Sequence, residues 1–179
     1  MSPCYFDFEI VREFACAPSV LFDAWADPVA KAKWFVGPKG WVETSRSVDL
    51  REGGIETMNG NFDGKMTTEY TAHFYDVQPG KRIGYSFDVR LGGELYSISV
   101  AVVEFIQTQR GAEMKFHEQL AVFSGQTVEE ARGSRIAGTA SHFDVLAKYL
   151  QEGPDSNEFE SSHCGVGSLR KESPAQNEN

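Results

Sequence analysis

The sequence predicts an α+β fold in which one curved antiparallel sheet of about six to seven strands wraps a long C-terminal helix. Between about residues 41 and 123, apolar and polar residues alternate and are interrupted only by short glycine-rich turns, which predicts consecutive antiparallel strands. From residue 127 onward the apolar period changes from two to about 3.6, which predicts a helix. A sheet that curls around a helix leaves room for a cavity between them.

The N-terminal part of the domain predicts one strand followed by two short helices. Residues 5–14, YFDFEIVREF, alternate between apolar and polar side chains and predict the first strand. Pro18 suits the first turn of a helix, so a short helix is expected to begin there. Asp27-Pro28 ends that helix and begins a second one, which is expected to run through Trp34 and Phe35.

The central part predicts about six strands joined by turns. The turn signals are all rich in glycine and polar residues and occur at 51–54, 59–64, 78–80, 91–93 and 110–111. Short turns between consecutive strands imply an antiparallel meander. Strict alternation along the strand that contains Tyr96 and Phe105 places these two aromatic side chains on opposite faces of the sheet.

The C-terminal part predicts a helix of about four turns and then a tail. Thr127 and Glu130 have the spacing of a capping box, so the helix is expected to start there. Gly133 and Gly138 weaken its first half and are expected to kink it or to admit close packing. Residues 1–151 therefore form the predicted domain. Residues 152–179 are rich in Gly, Ser, Pro, Asn and Glu, which predicts a disordered, polar, acidic tail.

Charge and composition exclude several classes of partner. A net charge of −9 argues against nucleic acids and anionic membrane surfaces as partners. The chain has no uncharged apolar run of about 18 residues, so membrane insertion is not expected, and its start does not resemble a signal peptide. Three widely spaced cysteines fit reduced thiols rather than a disulfide framework, so a cytoplasmic protein is expected.

A series of motifs between residues 9 and 151 resembles one known family. These motifs occur in the family's order and are 12–18 (REFACAP), 20–28 (VLFDAWADP), Trp34 with Pro38, 49–54 (DLREGG), Gly64, 78–83 (QPGKRI), His117-Glu118 and 138–150. They resemble the START-like (SRPBCC) superfamily, and within it the family named for homology to the activator of heat-shock protein 90 ATPase. The resemblance implies a helix-grip fold of the START/Bet v type that holds a hydrophobic small molecule. It also leaves two alternatives open: a co-chaperone-like module that stimulates a heat-shock protein 90 type ATPase, and a polyketide cyclase/aromatase-like enzyme.

The aromatic residues, combined with the implied fold, predict a cavity for a hydrophobic or aromatic small molecule. The predicted ligand-binding residues come from the corner after the second helix, from the strands and from the closing helix, and are Trp34, Trp41, Tyr70, Tyr85, Phe87, Phe116, Glu118, Gly138, His142 and Phe143. Gly37-Pro-Lys-Gly40 lacks the spacing of a phosphate-binding loop, so we interpret it as a corner near the cavity mouth, with Trp34 as anchor and Trp41 as gate. The family often has Gly-Trp where this chain has Gly138-Thr139, and the smaller residue is expected to enlarge the cavity or make it wetter.

Glu118 is the candidate catalytic residue. Alternation places its side chain with those of Phe116 and Leu120, facing apolar surroundings, and directs His117 to the other face. A carboxylate in that position could carry a proton or bind a polar group of the ligand. The alternative is a structural partner, either a hydroxyl group or an arginine.

Cofactors and metals are not expected. His142 and His73 lack a second and third ligand at useful spacing, and the chain contains neither a phosphate-binding loop nor a nucleophile elbow. An enzyme is therefore less favoured than a binding protein. The sequence leaves open whether the protein forms a homodimer.

Overall fold

The computed structural model describes residues 2–153. The elements in chain order are β1 (Cys4–Phe14), α1 (Pro18–Ala26), α2 (Pro28–Trp34), β2 (Trp41–Val48), β3 (Ile55–Phe62), β4 (Met66–Gln78), β5 (Arg82–Leu91), β6 (Glu94–Thr108), β7 (Gly111–Val122) and α3 (Val128–Glu152). The tail predicted for residues 152–179 lies outside the described residues from residue 154 onward.

The strands form one antiparallel sheet, and the predicted fold is confirmed. Its order is β1-β7-β6-β5-β4-β3-β2, so the first strand pairs with the last and the others follow as a meander. The helices α1 and α2 make the connection from β1, at one edge, to β2, at the other. The buried side chains lie where the three helices cover one face of this sheet.

Local contacts explain how α2 begins and how it is held against α1. Asp27 caps α2, because its carboxylate accepts hydrogen bonds from the backbone N–H of Val29 at 2.7 Å and of Ala30 at 3.2 Å. Trp34, at the end of α2, connects the two helices, because its indole Nε1 donates to the carbonyl of Ala24 in α1 at 2.8 Å. The predicted anchoring role of Trp34 is confirmed, whereas Phe35 lies just beyond α2 rather than inside it.

The closing helix α3 begins at the predicted capping box. The Glu130 carboxylate accepts from the backbone N–H of Thr127 at 3.0 Å, and the Thr127 hydroxyl accepts from the Glu130 N–H at 3.3 Å. The pKa of Glu130 is lowered by the hydrogen bond from the Thr127 N–H and by a second one that the Thr127 hydroxyl donates to the same carboxylate at 2.9 Å. The helix is one continuous element of 25 residues, about 37 Å long. A Cβ atom at Gly133 or Gly138 would meet no other atom, so the expectation of close packing at these glycines is wrong.

A β-bulge corrects one side-chain assignment. Val89 pairs with Ser97 and Arg90 pairs with Leu95, so β6 contains one extra residue, Tyr96, at this point. An extra residue shifts the alternation and redirects the side chain. Tyr96 therefore faces the same side of the sheet as Phe105, and the prediction of opposite faces is wrong.

Candidate functional site

A cavity of about 390 Å³ lies between α3, the corner after α2 and the concave face of the sheet. All ten residues singled out by the sequence line it: Trp34, Trp41, Tyr70, Tyr85, Phe87, Phe116, Glu118, Gly138, His142 and Phe143. The structure thus brings together every predicted site residue, while their role in ligand binding stays a prediction. Sequence reasoning did not single out several other lining residues, among them Trp25, Lys31 and Arg135, whereas Thr139, expected to enlarge the cavity, does line it.

Trp41 forms part of the cavity wall between two glycines. A Cβ atom at Gly37 or at Gly60 would overlap its indole ring, so the ring requires glycine on both sides. The indole Nε1 donates to the hydroxyl of Thr68 at 2.7 Å. Trp41 lies at the cavity, as the gating hypothesis requires, but these contacts hold its ring in place. Its role as a gate stays a prediction.

Two side chains hold the corner that follows α2. Arg46 Nη2 donates to the carbonyl of Phe35 at 2.6 Å and contacts the Glu43 carboxylate at 2.8 Å. From the other side, His142 Nε2 donates to the carbonyl of Val36 at 2.8 Å. The corner is thus connected both to β2 and to α3, which closes the cavity along this side.

His142 is neutral in the folded protein. Burial lowers the pKa of His142, and the positive charges of Arg135 and Arg46 lower it further, while the hydrogen bond to the carbonyl of Val36 acts in the opposite direction. A carbonyl can only accept, so Nε2 carries the hydrogen. The unprotonated Nδ1 of the ring is then an acceptor with no partner among the described residues.

Glu118 is completely buried and is paired with Arg135. Arg135 Nη2 and Nε lie 2.9 and 3.0 Å from Glu118 Oε1, and Nε lies 3.3 Å from Oε2. The guanidinium also stacks over Phe87, at 5.0 Å from the ring centroid. This is the arginine partner that the sequence left open as an alternative. Arg135 itself could have been found from its spacing to Gly138, Thr139 and His142, which places all four on one helix face.

A second buried ion pair lies below the corner. Lys31 Nζ is 2.5 Å from Glu56 Oε2, and both side chains are almost completely buried. The ammonium group also lies between 5.2 and 5.9 Å from the ring centroids of Trp25, Phe35 and Phe74. The sequence signal for Glu56 was present, since alternation puts it on the same strand face as Met58 and Phe62.

Two tyrosines that line the cavity are influenced by the charges of these ion pairs. The rings of Tyr70 and Tyr85 pack against Phe87, with centroid distances of 5.4 and 5.6 Å. Burial raises the pKa of both phenols well above the usual value, and the nearest acids raise it further: Glu56 acts most strongly on Tyr70, and Glu118 on Tyr85. Both hydroxyls are therefore protonated, and neither has a hydrogen-bond partner among residues 2–153.

The site holds no metal-binding cluster within the described part of the chain. In residues 2–153 no three His, Cys, Asp or Glu side chains come together in a way that could hold an ion. In the same range no helix is both long and apolar enough to cross a membrane. The chemistry available to the cavity therefore comes from aromatic walls, two ion pairs, the carboxylate of Glu69, the three phenols of Tyr70, Tyr85 and Tyr96, and one imidazole.

Comparison with known proteins places this architecture in a family. The sequence profile described as "Activator of Hsp90 ATPase homolog 1-like protein" matches residues 15–151, which is most of the chain. The chain belongs to the AHSA1-like family, within the SRPBCC superfamily. The predicted family is therefore confirmed. A comparison with curated proteins gives no match.

Solved structures of similar proteins share the AHSA1-like fold. A putative uncharacterized protein from Rhizobium leguminosarum is 29% identical with a TM-score of 0.78, over 85% of this chain and 98% of that one. The Mll3558 protein from Rhizobium loti is 28% identical with a TM-score of 0.73, over 83% and 99% of the two chains. An AHSA1-like protein from Aeromonas hydrophila, at 21% identity and a TM-score of 0.61 over 82% and 92%, supports the fold alone.

Proposed function

We propose that this AHSA1-like domain binds a hydrophobic or aromatic small molecule in the cavity between the sheet and α3. The observation that carries the proposal is the cavity itself, whose volume of about 390 Å³ lies in the range of small-molecule sites and whose walls are mostly aromatic. An aromatic ligand that buries about 200 Å² of apolar surface would gain about 5 kcal/mol from leaving water. This gain opposes the entropy lost on association.

Binding explains the cavity better than catalysis does. Both oxygens of Glu118 accept from Arg135, so the candidate proton carrier is already occupied by a guanidinium. His142, another titratable group of the wall, uses its Nε2 hydrogen to hold the backbone of Val36. These contacts give both residues a structural role in shaping the site. The cyclase-like and co-chaperone-like alternatives stay predictions.

Intrinsic fluorescence offers a direct assay, because all three tryptophans of the chain line the cavity. We expect 2-acetylnaphthalene to quench this fluorescence in a saturable manner, since a bound naphthyl ring would lie near every indole. Free N-acetyltryptophanamide, titrated in parallel, corrects for absorption by the probe and for collisions. If the corrected quenching does not saturate, the proposed binding is contradicted.

A matched pair of variants on α3 tests where the probe binds. Gly138 lines the cavity and Gly133 does not, and a Cβ atom at either would meet open space. Gly138→Leu should lower the affinity at least about tenfold, because an overpacked site loses about 1–3 kcal/mol. Gly133→Leu changes the same helix in the same way and should leave the affinity unchanged. An equal effect of both substitutions would place the probe elsewhere.

A further inference from the structure

The polar groups of the cavity also indicate which ligand it takes. Resting on the proposed function, we propose that the ligand is an uncharged aromatic compound with a hydrogen-bond acceptor oxygen, such as a ketone, ester or amide. The proposal has two parts, the absence of charge and the presence of the acceptor. Each depends on a different set of side chains.

Charge compensation within the wall argues for an uncharged ligand. Each of the two cations, Lys31 and Arg135, is paired with its own acid, and both Glu56 and Glu118 are completely buried. These four charges sum to zero before any ligand enters, and the exposed carboxylate of Glu69, which also lines the cavity, adds one negative charge. A ligand carboxylate would therefore lose its hydration and meet two buried carboxylates without a free cation to compensate it.

The phenols of Tyr70 and Tyr85 support the same conclusion. Burial and the nearby acids raise the pKa of Tyr70 and Tyr85, so the cavity already opposes the appearance of negative charge on its own groups. The same environment would act on a ligand carboxylate, which could enter only with a proton attached. A neutral ligand avoids this penalty.

Unpartnered donors argue for an acceptor on the ligand. Tyr70 and Tyr85 line the cavity, and their hydroxyls have no hydrogen-bond partner in the described part of the chain. The Nη1 group of Arg135 also lacks a partner there. The guanidinium can only donate, and the phenols donate readily.

An acceptor oxygen satisfies more of these groups than any other single ligand atom. A carbonyl has two lone pairs and can accept from two donors at once. A pure hydrocarbon would cover the same donors and leave them unpaired, which weakens binding because an unsatisfied buried donor loses its hydrogen bond to water. The wall thus discriminates against both the carboxylate and the hydrocarbon.

Calorimetry with three probes that share one ring system separates the effect of the acceptor from the effect of the charge. The probes are 2-acetylnaphthalene with a neutral acceptor, 2-naphthoic acid with an anionic group, and 2-ethylnaphthalene with neither. At about pH 8 the carboxyl probe is ionised. We expect the ketone to bind about fivefold more tightly than the hydrocarbon, the effect of one net hydrogen bond, and about tenfold more tightly than the carboxylate.

The outcomes distinguish this inference from the proposed function. A carboxylate that binds as tightly as the ketone overturns the neutral ligand, and a hydrocarbon that does so overturns the acceptor, while ligand binding itself stands in both cases. If none of the three probes binds, both proposals are overturned. The predicted order, with the ketone tightest, supports both.

Hydroxyl deletions test the donors one at a time. Tyr70→Phe and Tyr85→Phe remove only an oxygen, and at least one of them should lower ketone affinity about fivefold without changing hydrocarbon affinity. Tyr5→Phe serves as the control, because Tyr5 is exposed on β1. Thermal unfolding verifies that each variant is folded. If neither cavity variant changes the ratio of ketone to hydrocarbon affinity, the assignment of the phenols as donors is overturned.

Discussion

Arg135 on α3 and Glu118 on β7 form a hydrogen-bonded ion pair that connects the closing helix to the strand next to the β1 edge of the sheet. The shortest of its contacts is 2.9 Å, and the Glu118 side chain is completely buried, whereas 22% of the Arg135 side chain is exposed. The pair lies in the wall of the cavity. The residues that hold the fold closed and those that face a ligand are therefore partly the same.

The unequal burial of the two partners predicts unequal effects of substitution. Arg135→Met leaves a completely buried carboxylate without its cation and should lower the free energy of unfolding by about 3–5 kcal/mol. Glu118→Gln keeps an acceptor and leaves a guanidinium that can turn toward water, so it should lower the free energy of unfolding by only about 2 kcal/mol. Urea unfolding of both variants measures the difference.

Arg132→Met is the control for this comparison, because Arg132 is exposed on the same helix. It should change the free energy of unfolding by no more than about 0.5 kcal/mol. Equal losses for Arg135→Met and Glu118→Gln would contradict the account, since they would mean that burial of the carboxylate does not determine the loss.

The second ion pair predicts a strong coupling between its two residues. Lys31→Met should lower the free energy of unfolding by about 3–5 kcal/mol, because Glu56 is completely buried and one of its oxygens already has no partner in the described residues. The double variant Lys31→Met/Glu56→Leu removes both charges and should recover most of that loss. Chemical denaturation of the single and double variants gives the coupling energy. Additive losses would show that the two groups do not act as a pair.

The lowered pKa of His142 predicts a pH dependence of stability. The unfolded chain takes up a proton near pH 6.5, whereas the folded protein does so only at lower pH. The stabilisation is therefore complete above about pH 6.5 and is lost as pH falls toward the folded pKa. His142→Gln should flatten the unfolding free energy in this window. His73→Gln changes the exposed surface and should leave the pH dependence of the unfolding free energy as in the wild type. If His73→Gln rather than His142→Gln abolished this pH dependence, the assignment to His142 would be wrong.

Thr139 predicts how cavity size limits binding. Its side chain lines the cavity at the position where the family often has tryptophan. Thr139→Trp should fill part of the space and lower the affinity for 2-acetylnaphthalene at least about tenfold. Ser141→Trp places the same indole on an exposed position of α3 that does not line the cavity. Titration calorimetry, which does not depend on tryptophan fluorescence, measures the affinity of each variant for the probe. Equal affinities would show that the probe does not occupy this space.

The sequence predicted the fold because its signals are local. Alternation, glycine-rich turns and the Thr127–Glu130 capping box each depend on residues a few positions apart. The ten candidate residues could be chosen for the same reason, because alternation along a strand and the period of a helix indicate which way each side chain points. Tyr96 was misplaced because a bulge depends on pairing with β5, which alternation within one strand does not reveal.

The ion pairs at the cavity were predicted only in part, because the two residues of each pair are far apart in the sequence. Glu118 was found from strand parity, but its partner Arg135 lies on another element. Lys31 and Glu56 are 25 positions apart and meet only after α2 has packed against β3. Such pairs depend on tertiary packing, so a single sequence shows each member without showing the contact.

The measurement that tests ligand binding most directly is a titration of the protein with 2-acetylnaphthalene, followed by amide proton–nitrogen correlation spectra. The account predicts saturable shifts at cavity-lining positions such as Gly37, Thr68 and Gly138, with little change at Ile98 and Val100 on the opposite, exposed face of the sheet. Shifts confined to that exposed face, or no shifts at all, would contradict it.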